Sequence, residues 1–253
     1  MLRIIILLFV TFVTANTCGL KSLTNEENSN SQAIEWESPK QVPWSVSLQS
    51  TTSKEHYCGG VVISDRWILT AVTCCYFKKP ENIIVLLGTN DLQNRSKNSF
   101  ETKIVNIIRH EAFNLETLEN NIALLQTEKT IPMNSNINKI CLPVEKQIFS
   151  GQVIVSGFGV KKLNDDGHNV TFLKSTRINL YDSSDCKSFY KSAFKSGMIC
   201  AGYASGFEHD KCRSGYAGAP LQRVINGRYY LVGILTFGDI CGSKHMPNIA
   251  AKV

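Results

Sequence analysis

The sequence predicts an all-β protein exported to an oxidising compartment, and three observations predict it. Short apolar segments recur along the chain, separated by turn residues at regular intervals, which is the pattern of an all-β sandwich or barrel. Only Ser183 to Ser192 has helical character, with Ser183, Ser184 and Asp185 as candidate N-caps. The nine cysteines suit an oxidising environment, and their odd number leaves at least one without an intramolecular partner.

Residues 1–15 have the layout of a signal peptide. Arg3 supplies the positive start, Ile4 to Val13 the apolar stretch, and Val13-Thr14-Ala15 a small-residue cleavage site. The apolar stretch is shorter than the ~20 residues a membrane span needs. A secreted product with no membrane partner is expected. Residues 16–33 are polar, rich in Asn, Ser and Glu, and read as an N-terminal segment tethered only at Cys18. Residues 34–253 then form one domain.

Within that domain Trp44 to Leu48 alternates. Gly60 to Ile63 and Trp67 to Leu69 read as buried strands, and Ile83 to Leu87, Ile104 to Ile108, Ile122 to Leu125, Val153 to Val155 and Leu231 to Leu235 follow the same style. The formal charge of +6 is modest. No run of consecutive basic residues, zinc-ligand spacing or phosphate-cradling glycine loop is present, so neither a nucleic-acid partner nor a metal or other cofactor is expected. Asn94-Arg95-Ser96 and Asn169-Val170-Thr171 are glycosylation sequons.

Pro43-Trp44-Ser45-Val46-Ser47-Leu48, Cys58-Gly59-Gly60, Trp67 to Cys74, Ile122-Ala123-Leu124-Leu125, Cys141-Leu142-Pro143, Gly157-Phe158-Gly159, Met198 to Tyr203 and Leu231-Val232-Gly233-Ile234 occur in one order. That order resembles the trypsin- and chymotrypsin-like serine proteases from about residue 40 onward. The resemblance implies two antiparallel β-barrels of six strands each, with an active site between them and a C-terminal helix for which the chain, ending at Val253, has no residues. It also implies disulfides Cys18–Cys141, Cys58–Cys74, Cys186–Cys200 and Cys212–Cys241. Cys75 is left over, either as a buried apolar thiol or as the partner of another chain.

The family's hydrolysis needs a serine nucleophile, an imidazole to take its proton and a carboxylate to hold the imidazole. The resemblance places Thr73 at the His position, Asn121 at the Asp position and Ala217 at the Ser position. Counting forward from Cys212 instead of back from Pro220 puts Tyr216 there, and neither register yields serine. Ser214 is close by but has no local base. His56, His110, His168, His209 and His245 are the histidines, and none stands in the catalytic position.

The activation signal departs from the family as well. Ser31 to Trp36 lacks the basic cleavage residue and the Val-Gly-Gly run, and Tyr216 stands where the carboxylate that would receive the freed amino terminus belongs. In the specificity pocket, Asp210 matches the carboxylate that selects Lys or Arg, and reads equally as an exposed loop acid. The resemblance places Phe237, Gly238, Ile240 and Asn248 along the rest of the pocket, which the side chains of Phe237, Ile240 and Asn248 are expected to narrow or block.

The resemblance therefore implies a secreted, non-catalytic homologue that works by binding extracellular proteins, as a decoy, inhibitor or cofactor in a proteolytic cascade. Its partners would be proteases, inhibitors or defence-cascade components. It resembles the inactive homologues secreted by arthropods, parasitic mites among them. The alternative is a serine endopeptidase of trypsin-like specificity using an unorthodox site.

Overall fold

A computed structural model describes residues 18–21, 42–158, 172–202, 216–236 and 247–253. The first barrel is built from β1 (Ser45–Ser50), β2 (His56–Val62), β3 (Trp67–Thr70), β4 (Ile83–Leu87), β5 (Phe100–Arg109) and β6 (Ala123–Thr127). The second uses β7 (Gly151–Gly157), β8 (Lys174–Leu180), β9 (Met198–Gly202), β10 (Pro220–Ile225), β11 (Arg228–Leu235) and β12 (Asn248–Lys252). Each is closed, in the orders β1-β2-β3-β6-β5-β4 and β10-β11-β12-β9-β8-β7, and every pairing is antiparallel. Closure leaves no strand edge to template aggregation.

The apolar runs become strands because closure gives them an interior to face. In β4 all of Ile-Ile-Val-Leu-Leu is buried, and the expected bounds of that strand are the observed ones. The strands β8 and β10 escape the periodicity rule. Lys174-Ser-Thr-Arg-Ile-Asn-Leu180 buries only Thr176 and Ile178, and β10 opens on Pro220, so neither carries an apolar run.

The helical expectation needs two corrections. The helix α2 spans Ser183–Tyr190 and continues as a 3-10 turn at Lys191–Ala193, but its N-cap is Asp182, whose carbonyl accepts from Cys186 N–H at 2.9 Å. The three suggested caps, Ser183, Ser184 and Asp185, already lie inside the helix. There is also an earlier one-turn helix, α1 (Val72–Cys75), too short to leave a periodic signal.

The barrels meet through a buried polar chain. Trp44 Nε1 donates to Gln222 Oε1 at 2.6 Å, Gln222 Nε2 donates to Ser156 Oγ at 2.7 Å, and Ser156 Oγ lies 2.6 Å from Ser175 Oγ. Trp44 and Ser156 are fully buried and Gln222 almost so. The Trp44 ring also packs on Tyr229, centroids 5.0 Å apart. The first barrel's apolar core runs on into Phe158, Leu173, Leu231 and Ile234.

Three of the four expected disulfides are present: Cys18–Cys141, Cys58–Cys74 and Cys186–Cys200. Cys212 and Cys241 lie outside the described residues. Cys18–Cys141 ties positions 123 residues apart, a loop long enough for about 4–5 kcal/mol of stabilisation in the chain-entropy account. Hydrogen bonds reinforce the tether. Gly19 N–H donates to Lys139 O at 2.8 Å, Tyr229 N–H donates to Gly19 O at 2.9 Å, and Arg228 Nη1 donates to Cys18 O at 3.0 Å. Gly19 has φ +66°, and a Cβ there would lie 2.4 Å from Tyr229 O, so only glycine fits.

Gln222→Leu should keep the volume while leaving the Trp44 indole N–H buried without an acceptor. The expected loss is about 1–3 kcal/mol, read as a lower urea midpoint at unchanged slope.

Candidate functional site

The candidate site is assembled by strand register. Thr70 pairs with Ala123 where β3 meets β6. Thr73, three residues beyond Thr70 in α1, is thereby set beside Asn121, two residues before Ala123. The fully buried Asn121 carboxamide grips Thr73 twice. Its Oδ1 accepts from Thr73 N–H at 3.0 Å, and its Nδ2 donates to Thr73 Oγ1 at 3.2 Å. Thr73 Oγ1 donates to Thr236 O at 3.5 Å, a contact to the residue that follows β11 of the second barrel. Thr73 itself is solvent-exposed.

Ala217 comes from the loop leading into β10. Its carbonyl accepts from Gly59 N–H in β2 at 2.7 Å. Gly218, at φ +79°, follows so closely that a Cβ would lie 2.3 Å from Gly59 O. Gly59 O is taken in turn by Thr70 Oγ1 at 2.8 Å, and Gly218 N–H donates to Leu235 O at 2.9 Å. The turn closes with Ala219 N–H donating to Tyr216 O at 2.9 Å. The loop is thus pinned to both barrels.

Tyr216 points the other way. Fully buried, it packs among Val153, Val155, Ala201 and Leu221 in the second barrel's core. A Cβ on Gly157 would lie 2.9 Å from the Tyr216 ring, so the glycine at 157 makes room for it. An apolar aromatic core takes this residue without a buried charge to neutralise.

Thr236 was not legible as a site residue. It is buried, and among the described residues its hydroxyl has no hydrogen-bond partner. Its position immediately before Phe237-Gly238 is the only sequence signal for it.

Of the expected pocket residues, Asn248 is described: it is buried at the start of β12, opposite Ala201 of β9. Tyr190 Oη donates to the carbonyl of the preceding Pro247. Asp210, Phe237, Gly238 and Ile240 lie outside the described residues, as do Ser214, His168, His209, His245 and the Asn169 sequon. His56 Nδ1 lies 2.9 Å from Ser47 Oγ, and His110 Nδ1 accepts from Ala112 N–H at 3.2 Å.

Cys75, the last residue of α1, is a free and fully buried thiol. Burial pushes its pKa up to about 11 against the opposing pull of the Arg109 guanidinium. Arg109 Nη2 donates to the Cys75 and Lys78 carbonyls at 2.7 and 3.0 Å, capping the chain as it leaves α1. No group of His, Cys, Asp and Glu among the described residues could hold a metal ion. Threonine, asparagine and alanine carry no group that titrates near neutral pH, so these three residues supply no general base, and the Thr73 hydroxyl has none among them to activate it.

A sequence profile of the trypsin family matches residues 34–253. The chain is 31% identical over 214 residues to the human protein named Transmembrane protease serine 11A, an alignment covering 83% of this chain and 50% of the relative. It is 27% identical over 218 residues to rat Transmembrane protease serine 9, covering 85% of this chain and 20% of the relative. The chain therefore spans half or less of the length of these relatives. Among the described residues no helix is long and apolar enough to cross a membrane.

The buried thiol has a pH signature. An unfolded chain loses the proton near ~8.5, whereas the native state holds it to about 11. The contribution is full below the unfolded value and is lost as pH rises toward the native one. Cys75→Ala should flatten this alkaline decline in a urea-midpoint series. Native Cys75 should resist iodoacetamide at pH 8 and react once denatured.

Proposed function

The chain belongs to the trypsin family, and from that premise we propose that it is a secreted member that has given up peptide hydrolysis and acts by binding extracellular protein. The observation that carries this reading is the Thr73–Asn121 pair. The amide grips a threonine with both its acceptor and its donor, at the positions where family catalysis requires an imidazole and a carboxylate. Ala217, at the serine position, offers a methyl group. A neutral amide would not stabilise an imidazolium even if a histidine approached.

Two further features support it. Tyr216 stands at the position of the activation carboxylate and is fully buried in the second barrel, which fits a chain that is not switched by a new amino terminus. Cys18–Cys141 holds the segment beginning at Cys18 against β11. The molecule on this reading keeps the family's shape and cleft without turnover, as a decoy, inhibitor or cofactor among proteases, inhibitors or defence-cascade components. An arthropod source, parasitic mites included, fits the resemblance to their inactive homologues.

The names of the two relatives describe proteases. They favour a second reading, a trypsin-like endopeptidase with an unorthodox site. That reading requires a nucleophile and base other than Thr73, Asn121 and Ala217, with Ser214 as the nearest serine.

The purified chain should show no stoichiometric labelling by a fluorophosphonate probe and no cleavage of Lys or Arg peptide substrates, with trypsin labelled in parallel. Labelling abolished by Ser214→Ala would establish the second reading instead. Benzamidine should leave the melting temperature unchanged if, as expected from the sequence, Phe237, Ile240 and Asn248 narrow the slot. A clear stabilisation by benzamidine would show the slot open. Affinity capture from host plasma or haemolymph, followed by mass spectrometry, would identify the partner.

A further inference from the structure

We infer that Asn94 carries an N-linked glycan, seated on the Asp91 carboxylate at the end of the first barrel remote from the Thr73–Asn121 pair. The inference rests on the secretory part of the reading above and is otherwise independent of the cleft. Asn94-Arg95-Ser96 lies in the loop joining β4 to β5, and all three residues are exposed.

The loop is built around Asp91. Its Oδ1 accepts from the backbone N–H groups of Gln93 and Asn94 at 2.9 and 3.1 Å, and its Oδ2 accepts from Asn94 Nδ2 at 3.1 Å. Desolvation is the largest single influence and pulls the Asp91 pKa upward, but the three hydrogen bonds together outweigh it and hold its carboxyl below the ordinary range, so it stays an acceptor. A carboxamide nitrogen has two hydrogens. Asp91 uses one, and the exposed position of Asn94 leaves the other for a sugar. Attachment therefore costs the folded loop none of its hydrogen bonds.

The neighbours clear the way. Arg95 turns aside, Nη1 to Glu101 Oε2 at 2.7 Å and Nη2 to Gln49 Oε1 at 3.3 Å. Ser96 N–H donates to Thr89 Oγ1 at 3.3 Å, and Ser96 Oγ accepts from Asn98 N–H at 3.2 Å.

Register sets where the glycan stands. Phe100, at the start of β5, pairs with Leu87 beside this loop, whereas Arg109, at its end, pairs with Ala123, two residues past Asn121. The ten-residue strand between them spans about 30 Å. The glycan would leave the cleft accessible and cover the region where Asp91 bridges to Phe172.

The co-reactant is a lipid-pyrophosphate-linked oligosaccharide. Asn94 Nδ2 forms a bond to the anomeric carbon, the carbon–oxygen bond to pyrophosphate breaks, and the nitrogen's proton passes to the transferring enzyme. No oxidant or reductant is involved.

The test is peptide mapping of the full chain secreted from eukaryotic cells, before and after amidase deglycosylation. The Asn94 peptide should carry glycan mass and, once deglycosylated, should appear as Asp, about 1 Da heavier. Ser96→Ala should abolish the modification while the disulfides still form. A secreted, disulfide-bonded product whose Asn94 is bare overturns the inference and spares the secretory reading. A product retained inside cells with reduced thiols and bare Asn94 overturns both. Asp91→Ala should leave occupancy unchanged and speed amide exchange at Gln93 and Asn94 by about tenfold. Unchanged exchange would overturn the seat on Asp91.

Discussion

The cleft depends on one close approach, that of Gly218 to Gly59. With less than the width of a methyl group between the Gly218 α-carbon and the Gly59 carbonyl, a loop of the second barrel lies flat on a strand of the first. Ala217 O and Gly59 N–H close the contact at 2.7 Å. The Trp44–Gln222–Ser156 chain repeats the principle deeper in the interface with side chains. A buried polar chain of this kind is costly to break at any link, because each freed donor or acceptor stays out of reach of water.

On that frame the chemistry is that of neutral groups. Asn121 satisfies Thr73 from both ends, and a carboxylate at 121 could accept but not donate. The pair is thus a hydrogen-bonded unit suited to holding the cleft wall in place. Tyr216 offers the same lesson in the second barrel. An aromatic ring against Gly157 fills volume with dispersion contacts where an ion pair would have needed both its members. Both features rest on packing or neutral hydrogen bonds, and both support the binding role proposed above.

Surface function is then separable from the cleft. The Asn94 loop and the Thr73–Asn121 pair sit at opposite ends of β5, so a glycan at one leaves the other exposed. The Cys18–Cys141 tether, with Gly19 locked under Tyr229, makes residues 18–21 part of the folded body.

Much of this was legible without coordinates. The short apolar runs announced an all-β chain, β4 to the residue, because local pattern is a property of the chain itself; the barrel architecture and the three observed disulfide pairings were implied only through the resemblance that the motifs around Cys58, Cys74, Cys141 and Gly157 bear to the trypsin-like proteases. The strands β8 and β10 and the single turn α1 were hidden, since their inward faces hold too few apolar residues, or too few residues, to show a period. Residue identities at 73, 121 and 217 were enough to show that these three side chains include no base titrating near neutral pH. Only the folded molecule decided that Asn121 grips Thr73, that Tyr216 enters a core, that Thr236 joins the cleft and that Cys75 is sealed. Those outcomes come from register across closed barrels, which brings together residues that no stretch of sequence holds near one another.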